Sequence, residues 1–284
     1  MSNAFPSTMT NRLLRGARYE VLPTATIAEK VLAHVPKDIT VTVTASPTKS
    51  LSQTLDLAEQ LAASGYDVVP HLAARMISGP GELGEIVARL REAGVTKVFA
   101  PAGDAPEPAG SYRGALDLLT DLRELGDPFE QVGITGYPES HPSIDDDVTI
   151  QSMWDKRRYA THIISNMTFD AEHVGRWAER VRRRGVELQV IVGVPGPVER
   201  AKLLGMATKI GVGESIRFLR KQKSVFARIA APGFSTDRFV TRVAALAANE
   251  SLRIEGLHIF TFNQVDVIES WRQRMLAEMA SQAQ

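Results

Sequence analysis

The stretch Gln131-Val-Gly-Ile-Thr-Gly-Tyr-Pro-Glu-Ser-His-Pro142 is a short apolar run that ends in two prolines. The apolar half predicts a buried strand, and the prolines predict a stiff loop, because proline fixes its φ and cannot donate to a sheet ladder. The loop carries a phenol, a carboxylate and an imidazole, on Tyr137, Glu139 and His141. A stiff loop at a strand's carboxyl end is typical of an active site, although a rigid connector with solvated side chains has the same composition.

Strand-like and helix-like stretches alternate along the whole chain, with short connections. The predicted strands are Arg18–Leu22, Asp38–Ala45, Asp67–Leu72, Lys97–Pro101, Gln131–Gly136, Asn166–Asp170 (entered through His162–Ser165), Glu187–Val192 and Gly256–Phe262. The predicted helices are Thr26–His34, Ser50–Ser64, Gly81–Ala93, Ala115–Leu125, Ile150–Tyr159, Ala171–Arg184, Val198–Ile210, Gly213–Lys221, Thr236–Ala248 and a closing helix to about Ala280. This rhythm favours a parallel sheet.

Eight strand–helix units predict an α/β fold, a single-domain (β/α)8 TIM barrel over residues 17–284, because the count and length match that architecture. A doubly wound open sheet is the alternative, but no Gly-x-Gly-x-x-Gly follows the first strand. Residues 1–16 have no hydrophobic signal core and no clear cleavage site, so we expect a loose tail and a cytoplasmic protein.

The composition excludes several classes of protein. Lys+Arg and Asp+Glu balance at 33 each, so no overall charge favours nucleic acid or an anionic membrane. Cysteine is absent, which excludes disulfides, catalytic thiolates and zinc–thiolate sites. No apolar run approaches the roughly 18 residues of a membrane span. The histidines show no His-x-x-x-His spacing, so no metal site is predicted.

Polar residues stand at nearly every predicted strand end, which a barrel brings to one face. At these ends the chain resembles the methylenetetrahydrofolate reductases, from residue 18 to residue 280. The matching pieces are Tyr19-Glu20-Val-Leu-Pro23, Pro70-His71-Leu72, Ala102-Gly103-Asp104, Tyr137-Pro138-Glu139-Ser-His141-Pro142, Phe169-Asp170, Gly193-Val-Pro-Gly-Pro-Val198 and His258-Ile-Phe-Thr-Phe-Asn263. The Tyr-Pro-Glu-x-His-Pro piece is fairly specific, whereas Gly-Asp or Pro-His-Leu alone means little.

The resemblance implies reduction of 5,10-methylenetetrahydrofolate to 5-methyltetrahydrofolate by NADH or NADPH, a step of one-carbon metabolism towards methionine. The folate ring opens when an acid protonates N10, which leaves an iminium cation at N5. By position, Glu20 matches the family's acid, and Asp104 matches the carboxylate that faces the cation. Without a catalytic role, Glu20 would be a solvated residue at the rim of the barrel, and Asp104 would be a turn residue.

The resemblance also assigns binding residues. Tyr137, Glu139, Asn166 and Phe169 would bind the folate, with Asn166 where the family usually has glutamine. Phe169 covers the pterin or fills the barrel mouth. The residues assigned to cofactor binding are Thr44, His71, Gly103, His141, Lys156 and Arg157.

The family normally holds FAD, and the sequence departs from the family at the flavin contacts. Ala102 replaces an arginine, and Tyr159 fills room that an adenosine would need. Lys156, Arg157 and Arg158 could bind a diphosphate, or form a solvated helix face. These departures favour weak or absent FAD binding and direct hydride transfer from the nicotinamide.

Two other classes of function remain open. A folate binder that passes a methyl group to or from a partner would use the same barrel, but it has no need of the acid at Glu20. A structural barrel without a ligand would not explain the polar strand ends.

Overall fold

The computed structural model describes residues 4–46, 49–141, 143–197 and 234–282, with side chains from residue 8 to residue 281 within those ranges. Eight parallel strands form one sheet in the order β3-β2-β1-β8-β7-β6-β5-β4. Their bounds are β1 Arg18–Val21, β2 Thr40–Val43, β3 Val68–Pro70, β4 Lys97–Phe99, β5 Gln131–Gly136, β6 His162–Met167, β7 Gln189–Pro195 and β8 Ile254–Phe260.

The two edge strands of this sheet, β3 and β4, meet at a seam that nearly closes the barrel. A single bridge joins His71 to Phe99, just beyond the end of β3. The amide of Leu72 donates to the carbonyl of Phe99, and that of Ala74 donates to the carbonyl of Pro101. The prediction of a single-domain (β/α)8 barrel is therefore confirmed.

Helices return the chain from each strand to the next. In the described ranges they are α1 Ala4–Arg15, α2 Ile27–His34, α3 Leu51–Ala63, α4 Pro80–Glu92, α5 Ala115–Glu124, α6 Asp146–Lys156, α7 Ala171–Arg183, α8 Thr236–Ala247 and α9 Val265–Gln282. Short 3-10 turns lie at Ala74–Met76 and Glu250–Leu252. The helices predicted at 198–210 and 213–221 lie outside the described residues. No helix in the described ranges is long and apolar enough to cross a membrane.

The expectation of a loose tail over residues 1–16 is wrong for residues 4–15, which form α1. This helix packs against α8 and α9, and Leu13 and Leu14 are fully buried there. Burial of these two side chains removes enough apolar surface from water to hold the segment on the barrel.

Most predicted boundaries agree within two residues. Strand β6 differs more: it spans His162–Met167 rather than Asn166–Asp170, because the residues predicted as its entry pair with β5 and β7. Helix α6 begins at Asp146 rather than Ile150, because acidic side chains at Asp146 and Asp147 stabilise a helix amino terminus. Strand β7 continues to Pro195, three residues beyond its predicted end. The predicted cap of α7 is confirmed, since the Asp170 carboxylate accepts the amide of Glu172 at 2.8 Å.

The barrel interior has three layers along its axis. At the amino ends of the strands lies a polar group that we call the base cluster: Arg18, Thr40, Asp67, Lys97, Gln131 and His162. Above it is a separate apolar layer of Val69, Phe99, Ile164 and Ile191. At the carboxyl ends lies a second polar group, which we call the mouth cluster: Glu20, Thr42, Thr44, His71, Thr135 and His258.

Candidate active site

Glu20 lies at the centre of the mouth cluster, between two buried histidines. His258 Nε2 lies 3.0 Å from Glu20 Oε2, and His71 Nε2 lies 4.0 Å from the same oxygen. The side chains of Glu20, His71 and His258 are only 13%, 8% and 1% exposed. The carboxylate therefore lies mostly out of water, within reach of two ring nitrogens.

Strands β1 and β8 fix the position of this carboxylate. The register pairs Glu20 with Phe260. Beyond the strand ends, the Thr261 hydroxyl donates to the backbone carbonyl of Glu20. Asn263 accepts the amide of Leu22 at 2.8 Å and donates to its carbonyl at 3.0 Å. The Glu20 backbone is therefore held beside the strand that carries His258.

Burial lowers the pKa of His71 to about 4, although the Glu20 carboxylate acts in the opposite direction; His258 adds a smaller lowering contribution. Near neutral pH His71 is thus an uncharged ring, with one nitrogen to donate and one to accept. Its edge packs on Phe99 at 4.7 Å between ring centroids, which fixes its plane.

Among the residues that the structure describes, several buried polar atoms of the mouth cluster have no hydrogen-bond partner. They are the hydroxyls of Thr42, Thr44 and Thr135, together with His71 Nε2 and His258 Nδ1. Buried polar groups in folded proteins are nearly always paired with protein or water. The two ring nitrogens belong to the histidines that flank Glu20, and a polar ligand or ordered water at the mouth would pair with them, so the mouth is the candidate binding site.

Asp104 lies at the rim of this site, close to Tyr137. Burial, and then the negative charge of Asp104, raise the pKa of Tyr137 to about 12. Gly103, with φ of +89°, sets the turn, and a Cβ there would lie 3.0 Å from the Ala73 Cβ. A larger residue would therefore displace the loop that carries Asp104 from the strand end that carries His71.

The loop after β4 is held by Arg75. Its guanidinium donates to three backbone carbonyls, those of Ala105, Pro106 and Arg113. Its backbone amide also donates to the carbonyl of Ala102, at 2.9 Å. The guanidinium of Arg75 therefore stabilises the conformation of the loop after β4.

Glu139 connects the loop after β5 to the loop after β6. Its Oε1 accepts the backbone amides of Phe169 at 2.6 Å and Asp170 at 3.0 Å. Phe169, half-buried, packs edge-on against Phe234 with ring centroids 5.4 Å apart. Glu139 therefore acts on the site indirectly, by fixing the position of the Phe169 backbone.

His141 lies in the same loop as Glu139, beside Tyr137. The rings of Tyr137 and His141 are perpendicular, with centroids 4.9 Å apart. His141 Nδ1 accepts the backbone amide of Ser143 at 3.2 Å. These contacts order the loop at the edge of the mouth.

Asn166 lies where β6 departs from regular pairing with β7. The register shifts between Ile164 and Met167, and such a bulge re-aims side chains. Asn166 is exposed, and its side-chain oxygen accepts the amide of Met167 at 2.8 Å.

The structure does not bring Lys156 and Arg157 to the mouth. They lie at the carboxyl end of α6, which runs back towards the amino ends of the strands over about 15 Å at 1.5 Å per residue. The chain beyond them leads at once into β6, and the Thr161 amide just before that strand donates to the carbonyl of Val132, near the start of β5. Burial lowers the pKa of Lys156 to about 8, as the helix packs it inward. The diphosphate role suggested for these two residues therefore has no support in this geometry.

Sequence reasoning missed three members of the mouth cluster: His258, Thr42 and Thr135. His258 stands in the motif His258-Ile-Phe-Thr-Phe-Asn263, and its alternation with Phe260 and its position on β8 were available as a signal. The threonines gave no signal beyond β-branching, which only predicts a strand. No group of three or more acidic, histidine or cysteine side chains in the described ranges is arranged to hold a metal ion.

Comparison with known proteins gives a consistent result. The family model described as "Methylenetetrahydrofolate reductase" matches residues 23–273. The 5,10-methylenetetrahydrofolate reductase of Pectobacterium carotovorum is 29% identical over 146 residues, 50% of this chain and 47% of that protein. The Escherichia coli K12 enzyme of the same name is 29% identical over 136 residues, 46% of this chain and 44% of that protein.

These matched segments cover less than half of either relative. Among solved structures, oxaloacetate acetylhydrolase has a TM-score of 0.53 at 11% identity, covering 97% of this chain and 87% of that one. At such low identity the structural likeness concerns the barrel alone.

Proposed function

The chain belongs to the methylenetetrahydrofolate reductase family, and from this premise we propose that it reduces 5,10-methylenetetrahydrofolate to 5-methyltetrahydrofolate with hydride from NADH or NADPH. The observation that carries the proposal is the geometry of Glu20, a mostly buried carboxyl group flanked by His71 and His258, each of which has one ring nitrogen without a hydrogen-bond partner among the described residues. A folate binder without chemistry would have no use for an acid in that position.

Glu20 acts as the acid that opens the folate ring. Its O–H bond breaks as a proton passes to N10, the bond from N10 to the bridging carbon breaks, and an N5 iminium remains. Hydride from the nicotinamide then adds to that carbon, which becomes the methyl group, while the nicotinamide is oxidised. General acid catalysis of this kind contributes roughly 10²–10⁴-fold to a rate.

Asp104 supplies a fixed negative charge to the iminium from the rim. The turn at Gly103 and the hydrogen bonds of Arg75 to the following loop hold this charge in place, so little reorganisation is needed when the cation forms. The bulge at Asn166 and the clamp of Glu139 on the Phe169 backbone provide an amide and an aromatic face for the pterin.

The described residues that the resemblance assigns to FAD do not fit its diphosphate. Position 102 is alanine, and Lys156 and Arg157 lie at the other end of the barrel. Arg75, which does reach the β4 loop, is engaged with backbone carbonyls. We therefore propose direct hydride transfer from NADH or NADPH, with both substrates in the mouth together at about 3–3.5 Å between the reacting atoms.

Deuterium tracing tests both parts of this proposal. The purified protein is mixed with methylenetetrahydrofolate and NADH or NADPH that carries deuterium at C4, in separate reactions for each face of the ring. Direct transfer predicts 5-methyltetrahydrofolate with deuterium in its methyl group for one of the two faces, and intersecting two-substrate plots.

Two results would contradict the proposal in different ways. Unlabelled 5-methyltetrahydrofolate with parallel plots would indicate a flavin, whose N5–H exchanges with water, and would refute direct transfer. Absence of the methyl product with either nucleotide, or its formation from a methyl donor alone, would refute the reductase and favour a methyl-transfer protein.

A further inference from the structure

We propose that His258 is a positioning residue for the acid: it holds Glu20 through one carboxyl oxygen and leaves the other oxygen to carry the transferred proton. The inference rests on the proposed function, which supplies the proton transfer that Glu20 performs. His258 transfers no proton to the folate itself and acts through Glu20.

The geometry separates His258 from the other histidine at the site. His258 Nε2 lies at hydrogen-bond distance from Glu20 Oε2, 3.0 Å, whereas His71 Nε2 lies at 4.0 Å from it. His258 is also the more deeply buried ring, 1% exposed, with Phe260 packed edge-on at 5.1 Å between centroids. The bond to Glu20 therefore has a fixed partner in a fixed plane.

The direction of this hydrogen bond determines what it does. With the acid proton on Oε1, the Nε2–H of His258 donates to Oε2. When the proton leaves for N10, the same bond becomes charge-assisted, since its acceptor is now a carboxylate. The contact thus strengthens as the proton is transferred, which stabilises the transition state more than the ground state.

Few described groups compete for this role. Glu20 is faced by His71 from the end of β3 and by His258 from β8. His71 is held uncharged near neutral pH by its burial, which lowers its pKa, and no described residue forms a hydrogen bond with its Nε2. His258 in turn lies near enough to His162 on β6 to affect its titration, but His162 is bonded to Arg18 and Thr161.

A matched set of four variants tests the proposal. His258→Phe removes the donor and keeps a ring, and His258→Gln retains an N–H that can reach Oε2. His162→Phe and His162→Gln make the same changes at another buried histidine of the barrel interior. Each variant is assayed for kcat, KM for the folate, the solvent deuterium isotope effect on single-turnover reduction, and Tm.

The expected result is specific to one variant. His258→Phe lowers kcat by about 10- to 100-fold, the scale of losing a hydrogen bond to a charged group. Its KM changes little, and its isotope effect rises because proton transfer becomes the slow step. His258→Gln recovers most of the rate. Both His162 variants keep the wild-type isotope effect, whatever their Tm.

A wild-type rate in His258→Phe would overturn the proposal. So would equal losses in His258→Phe and His258→Gln with an unchanged isotope effect, which would assign the ring to packing. If the wild-type protein forms no methyl product, the proposed function fails first. The Glu20 carboxyl is then followed by infrared difference spectra against Glu20→Gln: its stretching band should shift in His258→Phe and not in His258→Gln, and an unchanged band would overturn the proposal.

Discussion

The two ends of the barrel interior hold similar polar residue types, but their side chains are hydrogen-bonded to one another at the base and partly unpaired at the mouth. At the base, Arg18 crosses the interior to His162 Nε2 at 3.0 Å and Gln131 Oε1 at 3.3 Å. Asp67 accepts from Lys97 at 2.7 Å and from Thr40 at 2.6 Å. At the mouth, by contrast, three hydroxyls and two ring nitrogens have no partner among the residues that the structure describes.

This difference separates a structural polar cluster from a functional one. The base cluster takes one residue from the start of each strand from β1 to β6 and satisfies them mutually, so it closes that end of the barrel. The mouth cluster leaves its polar atoms for something else to satisfy, at a cost in stability that a fold alone would not retain. Single unpaired atoms also occur elsewhere, at Trp177 Nε1 and on the Gln264 amide, so it is the several unpaired atoms on neighbouring strand ends that distinguish the mouth.

The largest expected effect comes from the mouth. Glu20→Gln keeps the shape and removes the acid, so kcat should fall by roughly 10²–10⁴-fold. The Gln131→Glu variant replaces an amide of the base cluster by a carboxyl group, the opposite exchange, and serves as a control for effects on folding. Folate affinity, measured by calorimetry, should change little in Glu20→Gln, and near-normal turnover would remove Glu20 from the mechanism.

The next effect comes from the base and concerns stability alone. Arg18→Met keeps the length of the side chain but leaves His162 and Gln131 without their donor. Each unsatisfied buried group costs about 1–3 kcal/mol in the free energy of unfolding. Urea denaturation should show that loss while kcat stays at the wild-type value. A variant as stable as wild type, or one with lost turnover, would break the proposed division between the ends.

The third effect is a pH dependence of stability to which both ends contribute, smallest when counted per histidine and per pH unit. Burial is the main cause that lowers the pKa of His71 to about 4 and that of His162 to about 3, below the ordinary 6.5. The unfolded chain therefore binds more protons, so stability is complete above about pH 6.5 and falls as the pH drops towards 4. The slope should approach about 1.4 kcal/mol per pH unit for each histidine.

Urea denaturation at a series of pH values from 7 to 5 measures this slope. His162→Gln, which can still accept from Arg18, should reduce the slope by one histidine's share. Stability that stays constant down to pH 5 would show that these rings are not held neutral in the folded protein.

The barrel can be predicted from the sequence because each strand is a short apolar or β-branched run that turn-forming residues such as glycine and proline delimit. The run from Gln131 to Gly136 was placed with its observed bounds, and Asp170 was recognised as the α7 cap. The sequence analysis does not predict helix α1, although Phe5, Met9 and Leu13 recur at a spacing of four, because most residues between them are polar.

The pairing of side chains could not be predicted in the same way. Arg18 bonds Gln131 and His162, which lie 113 and 144 residues further along the chain, and only closure of the barrel brings them together. Motif position suggested a diphosphate role for Lys156 and Arg157, yet the direction of α6 carries them to the base end. The bond from His258 to Glu20 joins residues 238 apart.

Histidine ring NMR during folate binding tests the contrast between the two ends most directly. The chain has six histidines, so ¹⁵N-histidine spectra can be assigned by single His→Gln variants. Titration with 5-methyltetrahydrofolate should shift the ring signals of His71 and His258 saturably and leave those of His162 unchanged. Unmoved signals from His71 and His258, or an equal shift at His162, would contradict the assignment of the mouth as the ligand site.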